Sequence, residues 1–558
     1  MADTVPSHPS PPPAQESVKE TFESIIIAFV LAFVFRAYVV EAFVIPTGSM
    51  APTLMGAHLD VTCDQCGYRF ASDVPGHSVV EINGTRQAVQ LREDTEVVCP
   101  MCRFANPLRR ETHPASGDRI LVQKYIYQVT EPRRYDVVVF KAPHEPQRNY
   151  IKRLIGLPGE AIHIFEGNIY TRPAGSNEPW RIARKTDRPR VQRAVWQPIY
   201  DSRFIPRDGG DSALRTADQH WAPPWTPTAS PERWELDGRR SYLHRSDQPG
   251  TIRFDFDRLG YQTRPRPGAF VSRYPYNQFK ASDHNALVDW EPIEEVRLAA
   301  VFQPERAGLS ARLATTARLD REATETLAAT IDADGTVQLT ATDSAGQTRD
   351  LTAPTHLEPF AAGESRRVEL WYVDQEASVW IEGERVLRWR FDPPLTDARD
   401  LLARPRADNL PHVSITVAGS PVALHQVQLD RDVHYSIHSN SNHRRVLARG
   451  ALQREGEPGE PLRLRADEFF CIGDNTPWSH DSRYWDDVDP WVRHRYFDDL
   501  DSLDRSADAD RVPDFRPGII PRELMMGRAF FVYYPAPYAW SATAPRYFPN
   551  FGDMRFIH

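Results

Sequence analysis

Tyr150-Ile-Lys-Arg-Leu-Ile-Gly-Leu-Pro-Gly159 decides how this chain reads. Tyr, Ile and Leu favour strands, while Gly156, Pro158 and Gly159 close the run as a turn. Side chains alternate faces along a strand, so Lys152 points away from Ile151 and Arg153. A lysine among apolar β-residues is unusual, because a desolvated ammonium must be paired or give up its proton. The same pattern surrounds it. Arg119–Val122, Asp136–Phe140 and Ala161–Phe165 predict further strands, and Gly527-Arg-Ala-Phe-Phe-Val-Tyr-Tyr534 predicts a last one.

Toward the N-terminus, Tyr38–Leu54 turns from helical to extended pattern. Val39, Val40, Phe43, Val44 and Ile45 are strand formers, and Pro46 and Pro52 forbid a helix. Ser49 therefore lies on an extended or turning segment. Before it runs Thr21-Phe-Glu-Ser-Ile-Ile-Ile-Ala-Phe-Val-Leu-Ala-Phe-Val-Phe35, whose uninterrupted apolar stretch is 11 residues, Ile25 to Phe35. A spanning helix needs roughly 17–25 residues. Continuing to Val40 reaches that length if Arg36 snorkels to the interface. A retained anchor, a buried core helix and a cleaved leader compete here. The leader reading is weakened by Glu16, Glu20 and Glu23 standing against the single Lys19, where a basic segment belongs.

The chain of 558 residues is long enough for several domains, and 41% apolar residues supply real cores. Its 48 prolines favour a turn-rich, mainly β architecture. A net charge of -9 without a basic block argues against a nucleic-acid partner. Five cysteines are too few for a disulfide scaffold. Four of them form Cys63-Asp-Gln-Cys66 and Cys99-Pro-Met-Cys102, separated by 32 residues. Two such pairs can present four thiolates to one tetrahedral zinc ion, with Gly67 suiting the turn and a hairpin over Val79–Leu91 filling the interval. Disulfides or empty thiols in an oxidising compartment are the alternative. The lone Cys471, beside Phe469, Phe470 and Ile472, reads as a small buried hydrophobe.

Residues 286–436 carry short strands with turn signals. Leu327–Ile331 and Val337–Thr342 flank Asp332-Ala-Asp-Gly335, and Val368–Val373 and Ala377–Ile381 precede Glu382-Gly383 and Arg385–Trp389. This predicts a β-sandwich. Residues 166–285 yield no fold from pattern. The Asp-rich run at 486–514 reads as a solvated loop, with calcium binding as its alternative.

A serine hydroxyl needs a base to act as nucleophile, and a neutral lysine can serve as one. Free lysine titrates at about 10.4, so that role requires desolvation. Alone, Ser49 reads as a turn residue and Lys152 as a solvated side chain. Their surroundings change this. Ile45-Pro-Thr-Gly-Ser-Met-Ala-Pro-Thr-Leu54 resembles the nucleophile box of type I signal peptidases. Gly117-Asp-Arg-Ile-Leu-Val-Gln-Lys124 resembles their next box. Arg134-Tyr-Asp-Val-Val-Val-Phe-Lys141 with Tyr150–Gly159 resembles the lysine box, and Gly473-Asp-Asn-Thr-Pro-Trp-Ser-His-Asp-Ser-Arg483 the last. The boxes follow the family order. The resemblance covers roughly residues 20–55, 117–175 and 465–535.

That resemblance implies a serine endopeptidase cutting signal peptides from exported preproteins after small residues. It casts Ser49 as nucleophile, Lys152 as general base, and the Ser49 N–H with the Thr47 hydroxyl as oxyanion hole. Many family members have Ser at the Thr47 position. Ser479 matches the position that bonds and orients the lysine. Asp481 and Arg483 match an ion-pair cluster with Arg153. Gly473 permits close backbone approach, Asp474 and Asn475 read as structural, and His480 as a bystander. No cofactor is implied for catalysis, with zinc at most structural. The implied setting is a single-pass protein of the cell membrane, its catalytic part extracytoplasmic, in contact with lipid and with the secretion translocon as a candidate partner.

Arg367-Val-Glu-Leu-Trp-Tyr-Val-Asp-Gln-Glu-Ala-Ser-Val-Trp-Ile-Glu-Gly383 looks like a hairpin of concanavalin-like or laminin-G-like jelly rolls, which bind glycans or proteins; the plainer reading is a structural insertion of unknown ligand. The expected fold is mainly β, an antiparallel signal-peptidase-type core with an N-terminal transmembrane helix and an inserted sandwich. Its map is a disordered Pro-rich tail over 1–20, an anchor over 21–40, core over 41–57 and 113–165, a zinc-ribbon-like insertion over 58–112, an extension over 166–285, the sandwich over 286–436 and a return to the core over 437–558. Two rivals remain. An adhesion protein on a dead scaffold requires a broken Ser, Lys or oxyanion position. An autoproteolytic repressor-type protease requires a DNA-binding module.

Overall fold

Val137–Ala142 and Glu145–Gly156 pair antiparallel, with Lys152 opposite Val138 and Arg153 opposite Val137. The computed structural model describes residues 18–74, 80–82, 85–87, 95–108, 114–207, 221–228, 231–237, 240–259, 274–278, 293–319, 324–392, 395, 411–435, 461–485, 487–496, 518–536 and 550–558. The central hairpin lies in an antiparallel sheet ordered Val40–Val44, Arg119–Gln123, Met525–Tyr534, Val137–Ala142, Glu145–Gly156, Glu468–Ile472 and Ile520–Pro521, with Arg555–Phe556 also on Met525–Tyr534. Alternation explains its unbroken apolar runs, since both faces are covered. Val138, Phe140, Leu154 and Ile155 face one core with Phe469 and Ile472. Val137 and Val139 face another with Ile45, Met50, Leu54, Ile120 and Val122, which anchors the segment on either side of Ser49.

A second sheet joins Arg181–Ile182, Asn168–Pro173, Glu160–Phe165 and Leu462–Arg463. Glu166 and Gly167, both at positive φ, make its two-residue hairpin turn. Two larger antiparallel sheets follow. One runs Trp234–Asp237, Ser241–His244, Val422–Arg431, Val296–Pro304, Arg366–Val373, Glu376–Ile381, Glu384–Arg390, and the other Trp225–Pro227, Gly250–Phe254, Ser414–Ala418, Ser310–Ala317, Glu325–Ile331, Thr336–Thr342, Thr348–Asp350. Leu298, Phe302 and Leu370 from the first share one core with Ile252, Leu313, Leu327 and Leu339 from the second. The expected sandwich boundary at 286 is therefore corrected. Gln197–Asp201, Trp225–Pro227, Trp234–Asp237, Ser241–His244 and Gly250–Phe254 all belong to these sheets. Their shortness and prolines hid them from a reading by alternation.

The cysteine region forms three short hairpins: Leu59–Thr62 with Arg69–Ser72, Val80–Ile82 with Thr85–Gln87, and Glu96–Val98 with Ala105–Pro107. The middle one is the hairpin expected within 79–91, whose remaining positions lie outside the described residues. Most of the tail at 1–20 and of the Asp-rich stretch at 486–514 also lies outside them. Within these, residues from Val18 are helical and Pro490–Tyr496 is a short helix.

The segment expected as an anchor is a helix, Val18–Tyr38. At ~100° per residue, Ile25, Ile26, Ile27, Phe29, Val30, Leu31, Phe33 and Val34 reach every face, and each is at least 45% exposed. Among the described residues, no helix is long and apolar enough to cross a membrane. The apolar run here ends at Arg36, short of a full span.

Candidate active site

Ser49 sits in a single 3₁₀ turn, Gly48–Met50, where the Ala51 N–H donates to the Gly48 carbonyl (3.1 Å). Met50 and Leu54 bury on one side of the turn and pull Ser49 out of solvent. Lys152 comes up from the strand Glu145–Gly156. Its Nζ and the Ser49 Oγ share a hydrogen bond of 2.7 Å across 103 residues of sequence. Lys152 is 3% exposed and Ser49 9%. Burial is the largest influence on the amine and lowers its pKa. Asp481 and Cys471 pull it back up, Arg483 pushes it down, and the result is about 8. The Tyr150 ring lies 5.5 Å from Nζ. The amine is thus held beside a hydroxyl and is partly unprotonated near neutral pH, which is what proton abstraction from Ser49 requires.

Two buried ion pairs support the turn, arranged differently from expectation. Arg153 does not join Asp481 and Arg483. Its Nε and Nη2 grip both oxygens of Asp474 (2.7 Å each), and its Nη1 donates to the carbonyls of Tyr135 and His558 (2.8 and 2.9 Å). Burial opposes the Arg153 charge, and Asp474 more than offsets it. Asp474 is thus the direct counter-ion of Arg153. The reason is geometric: Arg153 faces Ile472 across the sheet, two residues from Asp474. Arg483 pairs instead with its near neighbour Asp481 (2.9 and 2.8 Å) and donates to the Thr476 carbonyl (2.8 Å). Asp481 also accepts from the Gly473 N–H (2.9 Å). Burial raises the Asp481 carboxyl, but Arg483 outweighs it and holds it below the usual carboxylate range.

The loop 473–483 is clamped onto the nucleophile turn. The Asn475 N–H donates to the Ser49 carbonyl (3.1 Å), and its side-chain amide to the Gly48 carbonyl (2.9 Å). A Cβ on Gly473 would collide with the Ser49 carbonyl and the Ser479 hydroxyl, so glycine is required there for close approach. Ser479 is buried, and among the described residues its Oγ makes no hydrogen bond to Lys152; it lies instead close enough to Asp481 to help hold that carboxyl down. Thr47 is exposed at the head of the turn, with no capping bond from its hydroxyl.

Sequence reasoning missed the segment Tyr274–Gln278. The Tyr276 ring sits where a Gly48 Cβ would be, and Asn277 exchanges amide hydrogen bonds with Asn475 (2.7 and 2.8 Å). Asn277 stands 198 positions from Asn475 and farther still from Ser49, and the segment carries no local pattern. His480 is exposed, with its ring 5.3 Å from that of His144. Cys471 is fully buried, and burial pushes its thiol well up. Farther off, the sulfurs of Cys63, Cys66, Cys99 and Cys102 all lie within 4.8 Å of one another, none in a disulfide.

Residues 110–208 match the family described as signal peptidase, peptidase S26. That stretch contains Lys152 and Arg153 and leaves Ser49 outside it. A signal peptidase I of Rickettsia bellii is 24% identical over 155 residues, 28% of this chain and 40% of that one. One of Rickettsia typhi is 28% identical over 156 residues, 28% of this chain and 44% of that one. One of Aquifex aeolicus is 45% identical over 49 residues, 9% of this chain and 19% of that one. The chain thus spans less than half the length of these relatives. Among solved structures, a carbohydrate-binding module of Bacillus subtilis is 10% identical, covering 37% of this chain and 95% of the module at a TM-score of 0.22. A Caenorhabditis elegans galectin is 18% identical, covering 25% of this chain and 83% of that one at 0.17. Likenesses this slight carry no argument. Over the strands that hold Lys152, the chain is similar to signal peptidases of the peptidase S26 family.

Proposed function

We propose that the protein is a signal peptidase I, a serine endopeptidase that removes N-terminal signal peptides from exported preproteins. The observation that carries this reading is the 2.7 Å bond between Ser49 Oγ and the buried Lys152 Nζ. The neutral amine takes the Ser49 proton as Oγ attacks the scissile carbonyl. The Ser49 N–H and the Thr47 hydroxyl receive the developing oxyanion. Lys152 then protonates the leaving amine, which frees the mature chain and leaves an acyl-Ser49. Water, deprotonated by Lys152, hydrolyses that ester and restores both side chains.

The sheet supports a binding mode for the peptide. Within the strand Glu145–Gly156, Glu468–Ile472 pairs only with Arg153–Gly156, whereas on the other side Val137–Ala142 pairs continuously from Arg153 to Asn149 and again at Glu145. Asn149–Lys152 therefore has one side without a partner strand among the described residues. An extended peptide laid there forms backbone bonds beside Lys152, with small side chains at its cleavage site.

The helix Val18–Tyr38 is the anchor in this reading. Its apolar side chains are exposed all round, a surface that water disfavours and lipid covers. Its apolar run alone falls short of a span, so this reading needs Arg36 to snorkel to the headgroups and the helix to use its full 21 residues; it then holds Ser49 on the extracytoplasmic face, where preproteins emerge from the translocon. The test is to incubate the detergent-purified protein with a preprotein bearing an Ala-x-Ala site and to sequence the product's new N-terminus. Cleavage directly after the second Ala is expected; an intact preprotein overturns the reading.

A further inference from the structure

The two Cys-x-x-Cys turns, 32 residues apart in sequence, are built alike. In the first, the Gly67 N–H donates to the Cys63 carbonyl (2.9 Å) and the Cys63 N–H to the Tyr68 carbonyl (2.9 Å). In the second, the Arg103 N–H donates to the Cys99 carbonyl (3.0 Å) and the Cys99 N–H to the Phe104 carbonyl (2.9 Å). Gly67 and Arg103 share the left-handed backbone, at φ 76° and 67°. Glycine adopts it freely; Arg103 adopts it at a cost, so the turn geometry is imposed by what it holds. The Tyr68 N–H reaches the Cys66 sulfur (3.4 Å), the arrangement that stabilises a thiolate.

The sulfurs fit a tetrahedral ion. Cross-pairs Cys63–Cys102 and Cys66–Cys99 are 3.5 and 3.6 Å apart. Four ligands at ~2.3 Å from a central zinc stand about 3.8 Å from one another. A disulfide would bring sulfurs to about 2.05 Å. Leu59, Val61, Phe70, Val97, Met101 and Trp221 wall the cluster off from water. Four thiols packed together in an apolar pocket are a soft ligand set, and soft thiolates select zinc over oxygen-seeking cations.

The module also grips the candidate active site. The Gln278 side chain bonds both the N–H and the carbonyl of Val98, next to Cys99 (2.7 Å each). The Asp73 N–H, just beyond the first hairpin, donates to the Tyr276 carbonyl (2.8 Å). Tyr276 covers Gly48, and Asn277 holds Asn475, which holds both Gly48 and Ser49.

We propose that Cys63, Cys66, Cys99 and Cys102 bind one structural zinc ion, and that the zinc-loaded module braces the Ser49 turn through Tyr276, Asn277 and Gln278. The bracing half rests on Ser49 being the nucleophile; the metal half does not. When bound, zinc supplies the cross-link between the two turns and takes no part in proton transfer. The chain's own residues carry the brace.

The test starts with metal analysis of the full-length protein purified without chelator. One zinc per chain is expected, released when a mercurial titrates four thiols. Absence of metal, or iron in its place, overturns the zinc assignment. Hydrogen exchange is then compared between zinc-loaded and stripped protein. Faster exchange at 48–54 and 274–278 on stripping is expected, and unchanged exchange there with the zinc lost overturns the brace. Gln278→Ala separates the two halves. It is expected to keep its zinc and to exchange faster at Gly48–Ser49; unchanged exchange overturns the coupling. Cys99→Ser with Cys102→Ser is expected to lose the metal, and the thiol titration of the wild-type chain decides the point if that variant fails to fold. None of these readouts depends on preprotein cleavage, so a failed cleavage assay leaves the zinc result standing by itself.

Discussion

The buried amine of Lys152 is costly to the fold and useful to the chemistry. Its pKa falls to about 8 chiefly because burial disfavours the ammonium. Only the neutral form accepts the Ser49 proton, so kcat/KM is expected to rise with pH, with a midpoint about 8, and to level off above it. A profile flat between pH 6 and 9 would speak against Lys152 as base. The same lowering predicts a stability effect. An unfolded lysine holds its proton up to about 10.4, so below pH 8 folding must bury a charge, and that penalty fades as pH rises through the interval between the two values. Lys152→Met is therefore expected to raise unfolding stability below pH 8, by roughly 3 kcal/mol at most, with inactivation; guanidinium melts at pH 7 and pH 10 check it. Asp474→Asn has the opposite sign. It leaves the fully buried Arg153 guanidinium without its counter-charge, at a cost of about 3–5 kcal/mol. At this scale the sequence was legible where chemistry is local. Ser49, Lys152 and Gly473 stand in dense motifs. The partner of Arg153 was misread because Asp474 and Asp481 are equivalent in sequence, and only the register Arg153 to Ile472 separates them.

Elements convert those residues into a site. The hairpin Val137–Gly156 supplies Lys152, and its apolar alternation was readable because both faces bury. The 3₁₀ turn at Ser49 was readable only as a break between prolines, since three residues carry no periodicity. The clamp by Tyr274–Gln278 was not readable at all, because its meaning lies in contacts 198 residues away. The free side of Asn149–Lys152 leads to a prediction about substrates. A peptide bonding there as a strand loses affinity when its backbone N–H groups next to the cleavage site are methylated. KM is expected to rise by about fivefold for each bond removed, at ~1 kcal/mol a bond. Steady-state kinetics on a methylated peptide series reads this out, and equal KM across the series contradicts strand addition. Gly473→Ala tests the closest approach between elements. Its methyl meets the Ser49 carbonyl backbone, which cannot yield as a side-chain tip would. Activity is expected to fall at least ~10²-fold, since small displacements of a nucleophile cost about that much.

The molecule as a whole joins the sheet that holds Lys152 to parts that the sequence showed only in outline. The sandwich was legible from its long alternating strands, while its shorter members between 197 and 254 were not, because strands of three to five residues, two of them holding a proline, give no period. The N-terminal helix presents unmatched apolar surface, so removal of residues 1–38 is expected to shift the protein from the membrane fraction to the soluble fraction with its peptidase activity retained in detergent. A truncated form still sedimenting with membranes would place the anchor elsewhere. The central claim is that Ser49 and Lys152 together cut preproteins. Its most direct test is to compare wild type, Ser49→Ala and Lys152→Ala at matched folding on one preprotein, following the appearance of the mature N-terminus by mass spectrometry. The account predicts cleavage by wild type alone, each variant being slower by at least ~10³-fold. Cleavage at wild-type rate by either variant would contradict it.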